Sequence, residues 1–502
     1  MKKRILILAL CLIMTLTSAC SSSPSDTTTS GSPSDPVSIT IFGLPVTVPD
    51  TDPIIPELEK RLGIDINIES TGGDESVLVA RLAGGNIPDV FRVTTINNLS
   101  SYYQNGVLLD LSKYMDKMPN VKKMFTEQQW ARVTFNGGIY GIPRRPEANY
   151  NCWYIRHDWL EKLGLKDPET FDDLLNVAIA MKDADLDGNG KNDTYPISGT
   201  YGSWAKAAGR DAFQGFFTAY GVTCPETMMI SDNKAVMAVT LPESRLAIEE
   251  IRRFVDAGVV EPEIISNTWG VLREKMATGK VGICFGGWAN FSKPAEAKTL
   301  KAVDPNANWA PFKKQIKTKY GESGASDSAS GNDAVYAINA DLAKDPKKLD
   351  AILNMFNYMA TEECDRLLSF GIEGVHYNID QEGKVVKLDK MDELTYGWGI
   401  QFLGRDDMVY CMTKFANCAE YIKYCAEDIT VLKHYGQMVE QPEGYNVSDI
   451  EAYVMEQIAQ FIYGTRSMSE WDSFISTLYN SYSLDRYLKA ANESLIKLGY
   501  IK

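Results

Sequence analysis

Cysteine, histidine and basic residues are scarce in this 502-residue chain, and each shortage argues against a class of protein. Nine cysteines are too few for a small scaffold held by disulfides, and no C-x-x-C pair indicates a zinc or thioredoxin-like site. Fifty-one basic against 66 acidic side chains leave a net charge of −15. That balance argues against a nucleic-acid partner, because tracking phosphates requires a basic face. The three histidines, His157, His376 and His434, show no metal-ligand spacing.

Long apolar runs and catalytic motifs are also missing. After the first 16 residues no apolar run is long enough to cross a bilayer, which excludes an integral transporter. The sequence contains no G-x-S-x-G, H-E-x-x-H, Walker or G-x-G-x-x-G motif. A glycan-degrading enzyme could place its two carboxylates without any spacing signature, so a secreted carbohydrate-active enzyme stays open as an alternative. Nothing in the sequence favours it, and we predict that the protein is not an enzyme.

The N-terminus has the pattern of an exported, lipid-anchored protein. A cationic segment, Met1 to Arg4, precedes an apolar stretch and then small residues before Cys20, which resembles the bacterial lipobox. Residues 21–35 contain only Ser, Thr, Pro, Asp and Gly and form a solvated tether. We predict a signal peptide at 1–19 and a lipidated (palmitate-bearing) Cys20 with its tether at 20–36, on the outer face of the cell membrane. An ordinary signal peptide that happens to contain Cys20 is the alternative.

The mature chain alternates strand and helix patterns and ends in a helical third. Strands are predicted at 37–42, 64–69, 88–91, 279–285 and 334–338, and helices at 54–62 and 77–83. This alternation indicates βαβ units and a largely parallel sheet, so the class is α/β. Helical patterns cover 408 to about 435, 447–463 and 469–498. Thr170-Phe-Asp-Asp173 predicts a capping box at a helix start.

The segment from Asp185 to Asp193 resembles the calcium loop of EF-hands. It has oxygen ligands at loop positions 1, 3, 5 and 9, a glycine at 6 and a backbone carbonyl at 7, and calcium takes six to eight such oxygens. We predict one structural Ca²⁺ bound by Asp185, Asp187, Asn189, the carbonyl of Lys191, and Asp193. Pro196 replaces the bidentate glutamate at position 12, so the loop is not a paired sensor EF-hand. A polar turn that needs no ion is the alternative.

Several motifs, in their order along the chain, resemble a known family. They are the lipobox and tether, Gly85-Asn-Ile-Pro-Asp-Val90, Gly138-Ile-Tyr-Gly-Ile-Pro-Arg144, Tyr154-Ile-Arg-His-Asp-Trp-Leu-Glu-Lys-Leu-Gly164, the calcium-like loop, Gly279-Lys-Val-Gly282 and Gly371-Ile-Glu-Gly-Val-His-Tyr377. The chain resembles the extracellular solute-binding proteins of family 1, the lipoprotein receptors of sugar-importing ABC transporters, over essentially the whole mature chain.

The resemblance implies a two-lobed, periplasmic-binding-protein-like class II fold that holds its ligand in the interlobe cleft. It places the N-lobe at 37–143 plus 309–371 and the C-lobe at 144–308 plus 372–502. In similar alginate-oligosaccharide receptors the calcium loop is structural and carries a further acidic side chain where this chain has Thr194.

Sugars offer an apolar face to aromatic rings and a rim of hydroxyls to polar side chains. The predicted ligand-binding residues are Trp288, Trp204, Trp153, Trp398, Tyr150, Arg144, Arg145 and His376. Trp288 follows Gly286-Gly287 at a strand end, where α/β sites usually lie, and core packing is the alternative for each tryptophan. Arg144 and Arg145 either bind a uronate carboxylate or form a solvated basic pair. His376 either donates to a sugar hydroxyl or is a satisfied buried histidine.

We therefore predict a monomeric solute-binding lipoprotein that captures an oligosaccharide and delivers it to the permease subunits of an ABC importer. A receptor for peptide or another solute is the alternative binding function, because cleft residues decide specificity. The negative net charge argues against strongly anionic glycans.

Overall fold

The computed structural model describes residues 36–146, 151–200, 202–203, 207–208, 210–329 and 334–502. The predicted signal peptide, Cys20, Tyr150 and Trp204 lie outside the described residues. Residues Val37–Lys502 form one compact unit.

The strands, in chain order, are β1 (Val37–Leu44), β2 (Ile64–Ser70), β3 (Val90–Val93), β4 (Thr134–Phe135), β5 (Gly138–Ile139), β6 (Asn151–Arg156), β7 (Tyr195–Ser198), β8 (Gly202–Ser203), β9 (Ala207–Ala208), β10 (Met228–Ser231), β11 (Lys234–Met237), β12 (Val281–Gly287), β13 (Trp309–Pro311), β14 (Ala325–Ser328), β15 (Val335–Ile338), β16 (Tyr377–Ile379), β17 (Val385–Lys387) and β18 (Val431–His434).

The α-helices are α1 (Ile54–Leu62), α2 (Ser76–Ala83), α3 (Ile96–Gln104), α4 (Pro119–Met124), α5 (Glu127–Ala131), α6 (His157–Leu163), α7 (Phe171–Lys182), α8 (Arg210–Ala219), α9 (Pro242–Asp256), α10 (Trp269–Ala277), α11 (Ala289–Ser292), α12 (Pro294–Leu300), α13 (Pro346–Met359), α14 (Glu362–Phe370), α15 (Asp407–Lys414), α16 (Ala419–Lys423), α17 (Val447–Ile462), α18 (Trp471–Asn480) and α19 (Leu484–Lys497).

Two four-stranded sheets organise these elements, each with its own core. In the first sheet, ordered β15-β3-β1-β2, β1 is parallel to both neighbours and β15 is antiparallel to β3. In the second, ordered β13-β6-β12-β7, β12 is parallel to β7 and antiparallel to β6. The residues buried around the first sheet form a different hydrophobic cluster from those around Trp153 and Ile283 in the second. The predicted α/β class is confirmed.

Local sequence explains the first βαβ unit. In α1 the buried residues Ile54, Ile55 and Leu58 lie at helical spacing and face the sheet. Gly63 then takes φ 65° as the C-cap of α1, a left-handed conformation that suits glycine, and the chain turns straight into β2. Along β2, Ile64 and Ile66 are buried while Asp65 between them is exposed, as alternation requires.

The chain passes from the first sheet to the second between β5 and β6 and returns between β14 and β15. Strand β13 pairs with β6 in the second sheet, although the expected N-lobe begins at 309. Leu394, Ile400 and Phe402, from the stretch expected in the C-lobe, pack in the core of the first sheet. The sheets and cores therefore divide the chain differently from the expected boundaries at these two places, because strand pairing and side-chain packing, not sequence order, decide which core a segment joins.

The C-terminal third is mainly helical but is not the run of uninterrupted helices that its pattern predicts. Within 408–435 the chain forms α15, α16 and a π-helical turn and then the strand β18, which pairs in parallel with β14. The helix predicted from 408 to about 435 is therefore wrong as a continuous element. Its three cysteines, Cys411, Cys418 and Cys425, are all buried. Among the described residues, no helix is both long enough and apolar enough to span a membrane.

Candidate functional site

The first crossing between the sheets is held by the two predicted ligand-binding arginines. Arg144 is buried, and its guanidinium donates to the carbonyl oxygens of Phe402 (3.0 Å) and Gln401 (2.9 Å). Arg145 donates to Asp365 Oδ2 (3.3 Å) and to the carbonyl of Gly404 (2.6 Å). These contacts tie residues 144–145 to the segment 401–404. The arginines thus make contacts within the chain and are not a solvated pair.

Trp288 lies between β12 and α11, as the N-cap residue of α11. Aromatic and positively charged side chains lie beside it. Its ring lies 5.4 Å from that of Phe415, centroid to centroid. The ammonium of Lys293 lies 4.6 Å from the Phe415 centroid and 5.7 Å from the Trp288 centroid. The guanidinium of Arg405 lies 4.1 Å from the centroid of the Tyr410 ring, and that ring lies 6.3 Å from the ring of Phe415. We call the following residues the basic–aromatic cluster: Trp288, Lys293, Arg405, Tyr410, Lys414 and Phe415.

The cluster holds more positive than negative charge. Arg405 pairs with Asp407, Nη2 to Oδ1 at 2.7 Å. Among the described residues, no carboxylate lies within 4.0 Å of the ammonium of Lys293 or Lys414. Lys414 donates instead to the carbonyl of Leu394 at 2.7 Å.

The pKa values of the two lysines reflect this excess. Burial lowers the pKa of Lys293, and burial together with the charge of Lys293 lowers the pKa of Lys414 to about 8. Both shifts mean that the charged ammonium is disfavoured where it sits, because burial removes part of its hydration and no carboxylate among the described residues lies within 4.0 Å of it.

Gln401 adds an unused hydrogen-bond donor beside the cluster. Its side chain is 1% exposed, and its Oε1 accepts from Arg405 Nη1. The amide nitrogen of the same group, Nε2, has no hydrogen-bond partner among the described residues. A buried amide N–H without an acceptor costs free energy.

A polar groove lies between α3 and the segment that leads into α17. It encloses a cavity of about 290 Å³. Its lining includes the following polar residues: Thr95, Asn97, Asn98, Thr227, His434, Gln437, Gln441, Ser448 and Glu451. The backbone N–H of Gln441 donates to Asn97 Oδ1 at 3.2 Å and joins the two walls. Side-chain amides both donate and accept hydrogen bonds, which is what sugar hydroxyls require.

A second cavity of about 440 Å³ shares Gln441 with the groove and extends along α19. Arg132, Arg486, Lys489 and Lys497 line it together with Glu440 and Glu493. Of these, Lys497 pairs loosely with Glu440, Nζ to Oε1 at 3.7 Å. This cavity has charges of both signs, whereas the groove beside it is mainly uncharged.

The remaining predicted ligand residues are not brought together. Trp153 is fully buried in the core of the second sheet, where its ring stacks on Phe312 at 5.9 Å. Trp398 is 39% exposed on a short 3₁₀ turn. His376 is 3% exposed, and its Nδ1 accepts from the backbone N–H of Ile372 at 2.9 Å. Burial lowers the pKa of His376, which favours the neutral ring.

The calcium-like loop brings its predicted oxygen donors together around a lysine. Lys280 Nζ lies 2.7 Å from Asp187 Oδ2 and 2.8 Å from Asp193 Oδ1. The hydrogen bond from Lys280 lowers the pKa of Asp193. Asn189 turns its Nδ2 toward the same two oxygens, at 2.9 and 3.0 Å. Gly190 makes the sharp turn with φ 82°.

The donor types of this loop fit Ca²⁺, but their present arrangement does not enclose one. Asp185 accepts from the backbone N–H groups of Asn189 (3.0 Å) and Gly190 (2.8 Å), and Lys191 N donates to Asn189 Oδ1 (2.8 Å). Among the described residues, no three His, Cys, Asp or Glu side chains are grouped so that they could hold a metal ion. Thr194, beside the loop, is buried, and its hydroxyl has no partner among the described residues.

Sequence reasoning missed most of the cluster and the groove. Lys293 carries the one usable signal, because it follows Trp288 by five residues and lies near the same strand end. Arg405 and Lys414 come from a segment more than a hundred residues further on, and no local pattern connects them to β12. Asn97 and Gln441 are separated by an even longer stretch of chain.

A family model of bacterial extracellular solute-binding proteins matches residues 47–363 of this chain. The chain is 28% identical over 339 residues to the polygalacturonan/rhamnogalacturonan-binding protein YtcQ of Bacillus subtilis, a match that covers 66% of this chain and 64% of YtcQ. It is 26% identical over 393 residues to the lipoprotein LipO of the same organism, covering 76% and 75%. It is 28% identical over 258 residues to the fructooligosaccharide ABC transporter substrate-binding protein FusA of Streptococcus pneumoniae. This match covers 47% of this chain and 46% of FusA. The matched region thus spans less than two thirds of YtcQ.

Solved structures show the same two-lobed fold. FusA in complex with kestose has a TM-score of 0.72 at 20% identity, covering 91% of this chain and 98% of FusA. The alginate-binding protein AlgQ2 without calcium ion has a TM-score of 0.71 at 18% identity, covering 92% and 98%. A structure of a FusA EF-hand mutant with fructo-nystose is similar as well, with a TM-score of 0.70 at 19% identity, covering 92% and 98%.

Proposed function

Because the chain belongs to the bacterial extracellular solute-binding proteins, we propose that it captures an oligosaccharide between its lobes and delivers it to the permease of an ABC importer. The names of YtcQ and FusA, a pectic-polysaccharide binder and a fructooligosaccharide binder, support a saccharide ligand. These relatives are binding proteins, which supports capture without turnover.

The polar groove is the observation that carries the saccharide assignment. Residues with amide side chains line both of its walls, Asn97 and Asn98 on the first sheet's side and Gln437 and Gln441 on the other. A saccharide presents hydroxyls in several directions, and each wall supplies donors and acceptors for them. A ligand that contacts both walls would hold them together and favour the closed molecule.

A thermal-unfolding and calorimetric screen of the mature protein tests this function. We expect a saturable rise in melting temperature with one class of oligosaccharide, because a ligand that binds only the folded state stabilises it by about 2.7 kcal/mol at a hundredfold excess over Kd. Galacturono-, fructo- and xylo-oligosaccharides form the panel, and a peptide library is the comparison. Binding of peptides with no response to any saccharide would overturn the saccharide assignment and leave the fold intact.

Chromatography of the same mixtures separates the receptor from the enzyme. A receptor returns the oligosaccharide unchanged after long incubation. New products that depend on the folded protein would establish the carbohydrate-active enzyme instead.

We also propose that the calcium-like loop binds one structural Ca²⁺ through Asp185, Asp187, Asn189, the Lys191 carbonyl and Asp193. Binding requires Lys280 to leave the two carboxylates and the Asn189 amide to turn its oxygen inward. The structure of an EF-hand mutant of FusA, and that of AlgQ2 without calcium ion, are consistent with a calcium loop in similar proteins.

Unfolding in calcium and in EGTA tests this metal site. We expect calcium to raise the melting temperature of the native chain and of Asp183→Asn, an exposed carboxylate outside the donor set. It should have no effect on Asp185→Ala. If calcium does not stabilise the native chain either, Lys280 is the cation of this loop and the metal assignment fails.

Lipid anchoring through Cys20 and an extracytoplasmic, monomeric state complete the proposal. The lipoprotein LipO among the similar proteins supports the anchor. Cys20→Ser should abolish palmitate labelling and release the protein from the membrane fraction into the medium. Retention of the label in that variant would exclude Cys20 as the lipidated residue. Gel filtration of the mature protein with light scattering checks the monomer.

We further propose the two-lobe division of the sequence analysis, 37–143 plus 309–371 against 144–308 plus 372–502, with two changes. The pairing of β13 with β6 moves 309–311 to the second lobe. The core contacts of Leu394, Ile400, Phe402 and Leu403 move that stretch to the first.

A further inference from the structure

Among the described residues, the two lysines of the basic–aromatic cluster lack a carboxylate partner. The nearest acidic side chains that favour the charged lysines are already engaged: Asp392 pairs with Lys387 at 2.6 Å and Glu296 with Arg273 at 3.3 Å. Asp407 pairs with Arg405. Cys411 and Cys418, which also face Lys293, are buried thiols whose pKa values burial raises, so they are neutral. Two positive charges, those of Lys293 and Lys414, remain without a counter-ion among the described residues.

The position of Lys293 is defined by its neighbours. The rings of Trp288 and Phe415 lie on two sides of its ammonium, and a cation over an aromatic face is attracted to it. Lys293 is partly exposed, whereas Lys414 is 5% exposed. The ammonium of Lys293 is therefore accessible to a molecule in solution. Lys414 adds positive electrostatic potential from a buried position.

An acceptor with negative charge suits the partly exposed ammonium of Lys293. Among the described residues, Lys293 has no carboxylate within 4.0 Å of its ammonium. A carboxylate accepts charge-assisted hydrogen bonds from an ammonium, and these are about twice as strong as neutral ones. The positive charges of Lys293 and Lys414 would then stabilise the bound carboxylate by attraction at short range.

Resting on the proposed function, we propose that the basic–aromatic cluster is an anion subsite that binds the carboxylate of an acidic sugar, with Lys293 as the direct contact. The ligand class is thus a uronate-containing oligosaccharide. The net charge of −15 is spread over the whole chain, and attraction over longer distances is screened within about 8 Å at physiological ionic strength. The local positive charge, and not the net charge of the chain, therefore determines whether a carboxylate is attracted to this subsite.

Calorimetry with trigalacturonic acid and with its fully methyl-esterified form tests this proposal, because the two sugars differ in charge and little else. For the native mature protein we expect at least tenfold tighter binding of the acid. That preference should shrink with increasing salt, while the affinity for the ester stays constant. Lys293→Gln should remove most of the preference, and Lys293→Arg should keep it.

Lys298→Gln is the matched control, because it removes the same charge from an exposed position on α12, five residues further along. It should keep the preference of the native protein. Melting temperatures of all variants confirm that each is folded before its affinity is compared.

Equal affinity for acid and ester, or an unchanged preference in folded Lys293→Gln, would overturn the anion subsite while leaving saccharide binding intact. The subsite also fails if neutral oligosaccharides bind and trigalacturonic acid does not. If peptides bind and no saccharide does, the proposed function fails together with the subsite.

Discussion

Trp153 and Trp288 are two tryptophans of the second sheet whose neighbours in the fold differ. Both lie on or directly after strands of the second sheet, and both are largely buried. Trp153 is enclosed by Phe216, Phe285 and Phe312 in the core. Trp288 is instead packed against a lysine at the edge of the basic–aromatic cluster. The residue type is the same, and only the neighbours differ.

The close packing of Trp153 predicts that Gly215→Ala is strongly destabilising. A Cβ on Gly215 would lie 2.0 Å from Trp153 Nε1, so the indole or α8 must move. Overpacking of this kind typically costs about 1–3 kcal/mol. Urea unfolding measures the loss. Gly270→Ala on α10 is the control, since its nearest neighbour, Thr268 Oγ1, would be 3.8 Å away and alanine favours the helix. Equal stability of both variants would contradict the packing.

The lowered pKa of Lys414 predicts a pH-dependent gain in stability for Lys414→Met. In the fold this pKa is about 8, below the unfolded value of about 10.4, so above pH 8 the unfolded state binds more protons and the native protein gains stability as the pH rises. Below pH 8 the cost of the buried charge is present in full, on the order of 3 kcal/mol. The variant should therefore gain most over the native protein below pH 8 and least near pH 10.

Urea unfolding from pH 6.5 to 10 measures this difference. The lost hydrogen bond to Leu394 adds an offset to the Lys414→Met curve that does not depend on pH. Lys414→Arg keeps the buried charge over this range. It should therefore stay close to the native protein below pH 8 and become less stable than the native protein as the pH rises, whereas Lys414→Met stays the more stable of the two variants throughout. A constant difference between Lys414→Met and the native protein would show that Lys414 titrates normally.

At the scale of single elements, α7 begins as its sequence predicts. Thr170 accepts from the N–H of Asp173 at 3.1 Å, and the Asp173 side chain accepts from the N–H of Thr170 at 3.0 Å, which confirms the capping box. Each bond satisfies an N–H that the helix leaves open. Local sequence determines this feature because all its partners lie within one turn.

Thr170→Ala should therefore destabilise the protein by about 1 kcal/mol. Thr170→Ser retains the hydroxyl and should stay within a few tenths of a kcal/mol of the native protein. Thermal or urea unfolding of the three proteins makes the comparison. A loss in the serine variant as large as in the alanine variant would assign the effect to the threonine methyl group instead.

Strand β18, in contrast, forms where the local sequence predicts a helix. Val431–His434 pairs with Ala325–Ser328, about a hundred residues earlier, and these hydrogen bonds override the local pattern. Gly324 permits the approach, since a Cβ there would lie 2.1 Å from the carbonyl oxygen of Thr430. A helical period read along one segment contains no information about such a partner.

At the scale of the whole molecule, the groove joins an element of the first sheet's side to the chain's C-terminal part. Its walls touch through the hydrogen bond between Gln441 and Asn97. Ligand binding should therefore slow backbone hydrogen exchange at 95–98 and at 434–441 together, because a ligand that bridges the walls holds both segments.

Mass-spectrometric hydrogen exchange with and without a saturating oligosaccharide measures this coupling. Helix α18, which does not line either cavity, is the internal control and should exchange at the same rate in both states. Protection of only one wall would show that the ligand does not bridge the groove.

The sequence by itself determined the α/β class, the first βαβ unit and the start of α7. Each depends on periodicity or capping between residues a few positions apart, so the pattern and its cause lie in the same short segment. The family resemblance added the two-lobed fold, which the match over residues 47–363 and the solved structures support.

Only the tertiary structure decided which core Leu394–Leu403 joins, that β18 is a strand, and that Lys293, Arg405 and Lys414 gather beside Trp288. These contacts join segments about a hundred residues apart or more, and their free energy comes from burial and charge in three dimensions. Two lysines look like ordinary solvated residues in the sequence. Only the fold places their ammonium groups beside aromatic rings, with no carboxylate among the described residues within 4.0 Å.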